Sequence, residues 1–465
     1  MRASAATVGA LSSRLASMLP AGTLRAEQEV LERYATDASD GGTHLPQLVA
    51  LPQDTAQVSR ILKEAHAAGV PVTPCGARTG KSGGSLPVEG GVALSLERMN
   101  RIVEIDPVDL VAVVEPGVVL GDLMEAVEAK GLFYPPDPNS WPSCTLGGNV
   151  AENAGGPRAL KYGVTGDYVL GMEWVLPDGE VLQVGRRTLK GVAGYDLVSL
   201  FVGSEGTLGV ATRITLRLLP LPAHVQTALV TFGSLEQAAT AVNAVLGAGL
   251  VPRALELLDA VAMRAVDGRP ISFPADAGAC LIAEVDGATE AGVEAELLLL
   301  GARCQEAGAK EILVARDQGQ RARLWEARRG VSPGLRRLTP HKISDDLVVP
   351  RSKLVEAIAG CHAIGREEGL MVATYGHAGD GNLHANVLYH PGEEGTVERA
   401  LGRMLELALR LGGTITGEHG VGWAKKRWLP LEQPAPLLEL QRRLKRAVDP
   451  AGLLNPSKIF PDAER

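Results

Sequence analysis

Between about residues 46 and 221, short apolar runs alternate with segments whose apolar positions recur every three or four residues. "QLVALP", "GVPVTP", "GVALSLERM" and "VAVVEPG" are bounded by Gly or Pro and predict strands. "TAQVSRILKEAHAAG" and "VLGDLMEAVEAKG" have the period of amphipathic helices. Together they predict an α/β lobe. "YVLGMEWVLPDGEVLQVG" reads as two strands joined at Pro-Asp-Gly-Glu, and "FVGSEGTLGVATRITLRLLP" closes the lobe with glycines and a β-branched run. From about residue 222, strands alternate with alanine- and leucine-rich helices such as "LEQAATAVNAVLGAGL", predicting a second α/β lobe over 222–412. In the leading segment, 1–45, "VGALSSRLASML" has near-helical spacing, and "AEQEVLERY" follows. An acid-free stretch with Arg2, Arg14 and Arg25 resembles a transit peptide in composition, but the periodicity favours an amphipathic helix of the mature protein. In the closing segment, 413–465, "LELQRRLKRAVDP" predicts a helix and "NPSKIF" a polar tail.

Two glycine-rich tracts interrupt the first lobe. "TPCGARTGKSGG" contains Gly80-Lys81-Ser82, the end of a nucleotide triphosphate-binding P-loop, but Cys75 occupies the position where that motif needs glycine. The following "GGSLPVEGG" cannot sustain the helix a P-loop opens. What remains is a loop able to offer backbone amides to an anion, with Arg78 and Lys81 adding charge, or an ordinary surface turn. The second tract, residues 135–163, has almost no regular period, and a tract that long inside a compact lobe usually lines a ligand.

Composition narrows the partners. With 465 residues, 45% hydrophobic and 22% charged, the chain is globular and too long for one core. A net charge of -8 carries no footprint for nucleic acid. Five cysteines without a Cys-x-x-Cys pair argue against a disulfide framework or an iron–sulfur cluster. No apolar run approaches the ~18 residues of a membrane span, so the expected location is the cytoplasm, including its membrane surface.

The candidate chemistry lies toward the C-terminus. "MVATYGHAGDGNLHANVLY" has the outline of a hairpin turning at Gly-Asp-Gly-Asn, with His384, Asn386 and Leu388 sharing a face and His377 just before the turn. "GGTITGEHGVGWAKKRW" places Glu418 and His419 between glycines. Two histidines and a carboxylate suit a divalent metal, most often zinc, with iron or manganese allowed. A single histidine in an apolar strand is more often a hydrogen-bonded core residue; three of nine histidines in two such segments favour a site. Neighbours in an extended segment point opposite ways, which assigns Glu418 to the metal and His419 to general-base work. "WEARRGVSPGLRRL" offers arginines for a substrate carboxylate, or a solvated helical face.

As an ordered set, "PCGARTGKSGG", "PPDPNSWPSCTLGGNVAENAGG", "KYG", "GSEGTLGVATRITLRL", "GHAGDGNLH", "GEHGVG" and "NPSKIF" resemble the flavoprotein family of glycolate oxidase flavin subunits, D-lactate dehydrogenases and D-2-hydroxyglutarate dehydrogenases. The resemblance implies the α+β fold of vanillyl-alcohol oxidase and p-cresol methylhydroxylase: a two-lobed FAD-binding domain (46–221), an α/β cap and a C-terminal segment returning to the FAD domain. The loop Pro74, Cys75, Gly76, Ala77, Arg78, Thr79, Gly80, Ser82 and Gly83 then holds the FAD pyrophosphate. Pro138, Ser140, Thr145, Gly148, Asn149, Gly155 and Gly156 lie along the flavin, as do Glu205, Gly206, Val210 and Asn455. The family usually has arginine at Cys75, glycine at Arg78 and leucine at Lys81. No histidine occurs between residues 67 and 223, so the FAD is expected to be non-covalent.

The same resemblance makes His377, His384 and Glu418 metal ligands and His419 the base. Arg328, Ser332, Lys342 and Asn386 are then the substrate-binding residues. It implies oxidation of a D-2-hydroxy acid, D-lactate or glycolate foremost. A quinone, cytochrome, electron-transfer flavoprotein or iron–sulfur subunit would accept the electrons, and a homodimer is compatible. Two competing expectations are a redox-neutral transferase of the ether-lipid synthase type and a flavin subunit active only with its electron-transfer partner.

Overall fold

The computed structural model describes residues 3–268 and 270–462. The chain divides into two compact units: Met1–Ala154 with Val164–Leu221 and Glu418–Arg465, and Gly155–Gly163 with Pro222–Gly417. The expected 46–221 lobe thus lacks residues 155–163, and the second unit runs on to Gly417.

In the first unit, strands Leu48–Ala50, Val92–Ser95 and Val72–Cys75 pair in parallel, with Leu24–Arg25 antiparallel on the edge. Both faces of a parallel sheet must be covered, which explains runs too apolar to alternate. Helix Thr55–Ala68 buries Val58, Ile61, Leu62 and Ala65 in the same core as Val72, Val92 and Leu94. Asp54 caps its start, and Gly69 ends it at φ 65°. The predicted N-terminal helix forms over Ala5–Ala16 and adds Val8, Leu11 and Leu15 to that core. A separate five-stranded sheet contains the predicted hairpin, Val169–Val175 against Val181–Gly185.

The closing tail packs within the first unit. Leu454 bridges Val72 in parallel, and the polar residues Asn455 and Lys458 are buried. Asn455 Nδ2 donates to the carbonyls of Gly84 and Glu205, and Lys458 Nζ donates to that of Leu86. A polar stretch can be buried when backbone acceptors satisfy its donors.

The second unit is built on seven antiparallel strands, in the order Ala309–Val314, His224–Phe232, Ala279–Gly287, Ala254–Asp259, Met371–His377, Asn382–Tyr389 and His341–Val348. Their two-residue period separates the faces. Leu255, Leu257, Leu281, Ala283, Val372, Leu383, Ala385 and Val387 join one apolar core with helices Leu235–Gly247, Glu290–Glu306, Leu354–Glu368 and Glu394–Arg410. The opposite face carries Leu258, Ile282 and Tyr375 under helices Ala260–Val266 and Gln318–Leu335, together with most of the buried polar groups of the sheet. No described helix is long and apolar enough to cross a membrane.

Residues 155–163 belong here because of one carboxylate. Buried Asp286 accepts from Lys161 Nζ at 2.6 Å, Tyr162 Oη at 2.8 Å and Arg253 Nη1 at 2.8 Å. Leu160 closes over Gly379, where an added Cβ would stand 2.3 Å from Leu160 Cδ2. Removing one partner of a buried ion pair strands the other charges. Asp286→Ala is predicted to lower the free energy of unfolding by about 3–5 kcal/mol, as read from urea titration.

Candidate active site

The hairpin at residues 371–389 forms as its alternation predicts. Its register sets Tyr375 opposite His384 and His377 opposite Asn382, so these four side chains share a face. Gly381 closes the turn at φ 84°, where a Cβ would come 2.1 Å from the Val349 carbonyl. The two imidazoles meet edge to face, with centroids 5.3 Å apart. His384 also lies 5.4 Å from the Tyr375 ring.

Across the other edge of this hairpin, Asp346 pairs with His384 in the register. Its carboxylate accepts from Asn382 Nδ2 at 2.7 Å, Thr416 Oγ1 at 2.9 Å and the Gly417 amide at 2.9 Å. It thereby fixes the backbone that leads into Glu418. Gly417 tolerates no side chain there, because a Cβ would stand 1.9 Å from Asn382 Nδ2. The ligand atoms of His377, His384 and Glu418 all lie within 4.8 Å of one another. Both histidines are buried and Glu418 is half-buried. His419, half-buried, follows it in sequence.

The expected substrate-binding residues lie on the same sheet face or on the helix above it. Arg328, on helix Gln318–Leu335, is buried with its guanidinium 4.7 Å from the Tyr375 ring centre. Lys342 Nζ donates to Asn386 Oδ1 at 3.0 Å, and Asn386 Nδ2 donates to the His384 carbonyl at 2.9 Å. Ser332 and Asn386 both engage the Tyr375 hydroxyl. Sequence reasoning missed Glu256, which stands opposite His377 in the sheet and is fully buried. Its carboxylate binds Arg328 Nε at 2.5 Å and His377 Nδ1 at 2.6 Å. Burial alone would raise its pKa, but the charges of Arg328 and His377 outweigh that and hold it at about 2. An acid flanked by leucines in the run "RALELLDA" was the available signal. Tyr375 and Asp346 were missed as well.

In the first unit, the loop that follows strand Val72–Cys75 meets helix Leu146–Glu152. A Cβ on Gly76 would stand 2.6 Å from Thr145 Oγ1, itself 3.5 Å from the corresponding point on Gly148. Gly206 turns at φ 66° beside Pro74. Arg78 takes φ 59°, the left-handed conformation natural to glycine. Its guanidinium lies 4.4 Å over Tyr34, and Lys81 Nζ reaches the Ala38 carbonyl. Both expected pyrophosphate cations therefore have protein contacts. Cys75 is a buried thiol that burial pushes up to about 12. Thr145 Oγ1, Asn149 Nδ2, Ser204 Oγ and Glu152 Oε2 are buried polar atoms without a hydrogen-bond partner. Such atoms ask for a bound group. Two of them, on Thr145 and Asn149, belong to residues expected along the flavin, so the segment fits FAD. Gly155 and Gly156, expected beside them, fall in the second unit.

Two carboxylates gather under Gly420, where a Cβ would come 2.3 Å from Glu152 Oε2 and 3.1 Å from Glu205 Oε1. Glu205 holds a left-handed backbone at φ 52° and accepts from the amides of Val421 at 2.8 Å and Gly422 at 2.6 Å. Burial lifts its pKa to about 7 against the pull of those amides. Burial and the neighbouring Glu205 charge raise Glu152 well above its ordinary 4.5. A raised folded-state carboxyl stabilises fully below the unfolded-chain value and loses that contribution as pH climbs through the folded value. Glu152→Gln cannot ionise, so its melting temperature should match wild type near pH 4.5 and exceed it increasingly toward pH 8.

Comparison with known proteins shows the family and the fold. Residues 46–185 match the family model described as "FAD binding domain", and residues 221–459 match "FAD linked oxidases, C-terminal domain". Glycolate oxidase subunit GlcD of Bacillus subtilis (strain 168) is 41% identical over 431 residues, 92% of each chain. D-lactate dehydrogenase of Anaerostipes hadrus is 35% identical over 430 residues, 90% of each chain. The crystal structure of p-cresol methylhydroxylase with substrate bound superposes with a TM-score of 0.80 over 98% of this chain and 97% of that one, at 17% identity. The chain belongs to the FAD-linked oxidases and has the p-cresol methylhydroxylase fold.

Proposed function

We propose that this protein is an FAD-dependent dehydrogenase of small D-2-hydroxy acids, with D-lactate or glycolate the preferred substrate. In this reading, His377, His384 and Glu418 hold a divalent cation, zinc foremost, with iron or manganese as alternatives. The observation that carries it is the approach of two imidazoles and a carboxylate within 4.8 Å. Such a donor set suits a cation that keeps open positions for a substrate. The relatives named glycolate oxidase and D-lactate dehydrogenase support the substrate class.

When bound, FAD supplies the acceptor for the hydride leaving the substrate α-carbon. The cation supplies Lewis acidity, which acidifies a coordinated hydroxyl. The chain's own groups do the rest. Arg328 pairs with the substrate carboxylate through its terminal nitrogens, its Nε being engaged by Glu256. Lys342, Asn386 and Ser332, linked by hydrogen bonds through Asn386 and Tyr375, fix polar positions around the substrate. His419 takes the hydroxyl proton; with the hydride gone as well, the substrate becomes a 2-oxo acid.

The test is anaerobic. Mixed with D-lactate, the wild-type protein should lose its yellow absorbance, and L-lactate should leave it unchanged. His419→Ala should slow that bleaching by about 10²–10⁴-fold, the usual reach of general-base catalysis. Bleaching of His419→Ala at the wild-type rate would remove the base assignment.

A further inference from the structure

We infer that Glu256 is a positioning residue that joins the cation ligand His377 to the anion-binding Arg328, one carboxylate oxygen to each; this rests on reading His377, His384 and Glu418 as a cation site. The two contacts are 2.6 Å from Oε1 to His377 Nδ1 and 2.5 Å from Oε2 to Arg328 Nε. A carboxylate facing Nδ1 assigns the ring proton there. That leaves the Nε2 lone pair for a cation. On its other oxygen, Glu256 takes the Nε edge of Arg328, and the Tyr375 ring lies against the guanidinium. The terminal Arg328 nitrogens are thus turned away from Glu256 as a fork for a carboxylate.

One buried negative charge therefore serves two tasks. It sets the imidazole's tautomer and tilt, and it sets the direction in which the arginine presents its donors. Glu256 does this from the strand directly beside His377, at the same register position. A cation and an arginine on one dry sheet face would otherwise repel each other, and the carboxylate between their protein contacts offsets that. The site would then select anions that chelate a cation and present a carboxylate at a set distance from it.

The experiment compares zinc affinity of the full-length, FAD-loaded wild type, Glu256→Gln and Glu256→Asp by competition with a fluorescent zinc chelator. Glutamine keeps the shape but loses the charge and turns a donor toward one of its two donor partners. Zinc binding by Glu256→Gln should weaken by about 10–100-fold, the usual effect of losing a carboxylate behind a metal-bound histidine. FAD content should be unchanged, and KM for the hydroxy acid should rise more than kcat falls. Glu256→Asp, with the charge kept but withdrawn by one methylene, should lie between the two. If Glu256→Gln yields no folded protein, the comparison of Glu256→Asp with wild type decides. Affinity within twofold of wild type in the folded variant overturns the role of Glu256 and leaves the cation site standing. A wild type that binds no zinc overturns the cation site and this inference with it.

Discussion

The register of one hairpin governs the second unit's chemistry. His377 and His384 converge because Tyr375 pairs with His384, two rungs of the ladder place both imidazoles on one face, and the Gly379-Asp380-Gly381 turn admits no slip. A shift of one residue would turn either histidine into the apolar core with Leu383 and Ala385. The same alternation aligns Glu256, Tyr375, Asn386, Lys342 and Asp346 beside them. A sheet with one largely apolar face can dedicate its other face to polar groups, provided each is matched. Here they match one another: Glu256 with Arg328 and His377, Lys342 with Asn386, and Asp346 with Thr416 and Gly417.

The first unit solves a different problem, the close approach of backbone segments. Glycines at 76, 84, 206, 420 and 422 stand where a Cβ would meet neighbouring atoms at 3.4 Å or less. These contacts gather the 76–84 loop, the Leu146–Glu152 helix, the 204–206 turn and the 420–422 loop around buried carboxylates. The strained backbone of Glu205 persists because its side chain and carbonyl are both engaged, the latter by Asn455. Segments distant in sequence thereby hold one another in place around partnerless polar atoms suited to a cofactor.

Local signals made the hairpins, the amphipathic helices and the glycine-rich loops legible, since each depends only on neighbours a few residues away. The ordered motifs made the family legible. Strand order was not legible: nothing in "RALELLDA" says that Glu256 will lie beside His377, 121 residues on. For the same reason the contacts of Arg78 with Tyr34 and of Lys81 with the Ala38 carbonyl, both in the leading segment, could not be read from the loop itself. Nor could polarity alone reveal the tail's burial, because its acceptors are carbonyls of a loop some 370 residues earlier. The antiparallel pairing of the second sheet was equally silent, as alternating strands and helices fit parallel and antiparallel sheets alike.

The cation site is tested most directly by X-ray absorption at the metal edge of protein purified without added chelator. One divalent ion per chain is expected, coordinated by two imidazole nitrogens and carboxylate oxygen, with no sulfur, and the imidazole signal lost in His377→Ala combined with His384→Ala. Protein that bleaches with D-lactate while holding no stoichiometric metal, or whose metal has sulfur ligands, would contradict it.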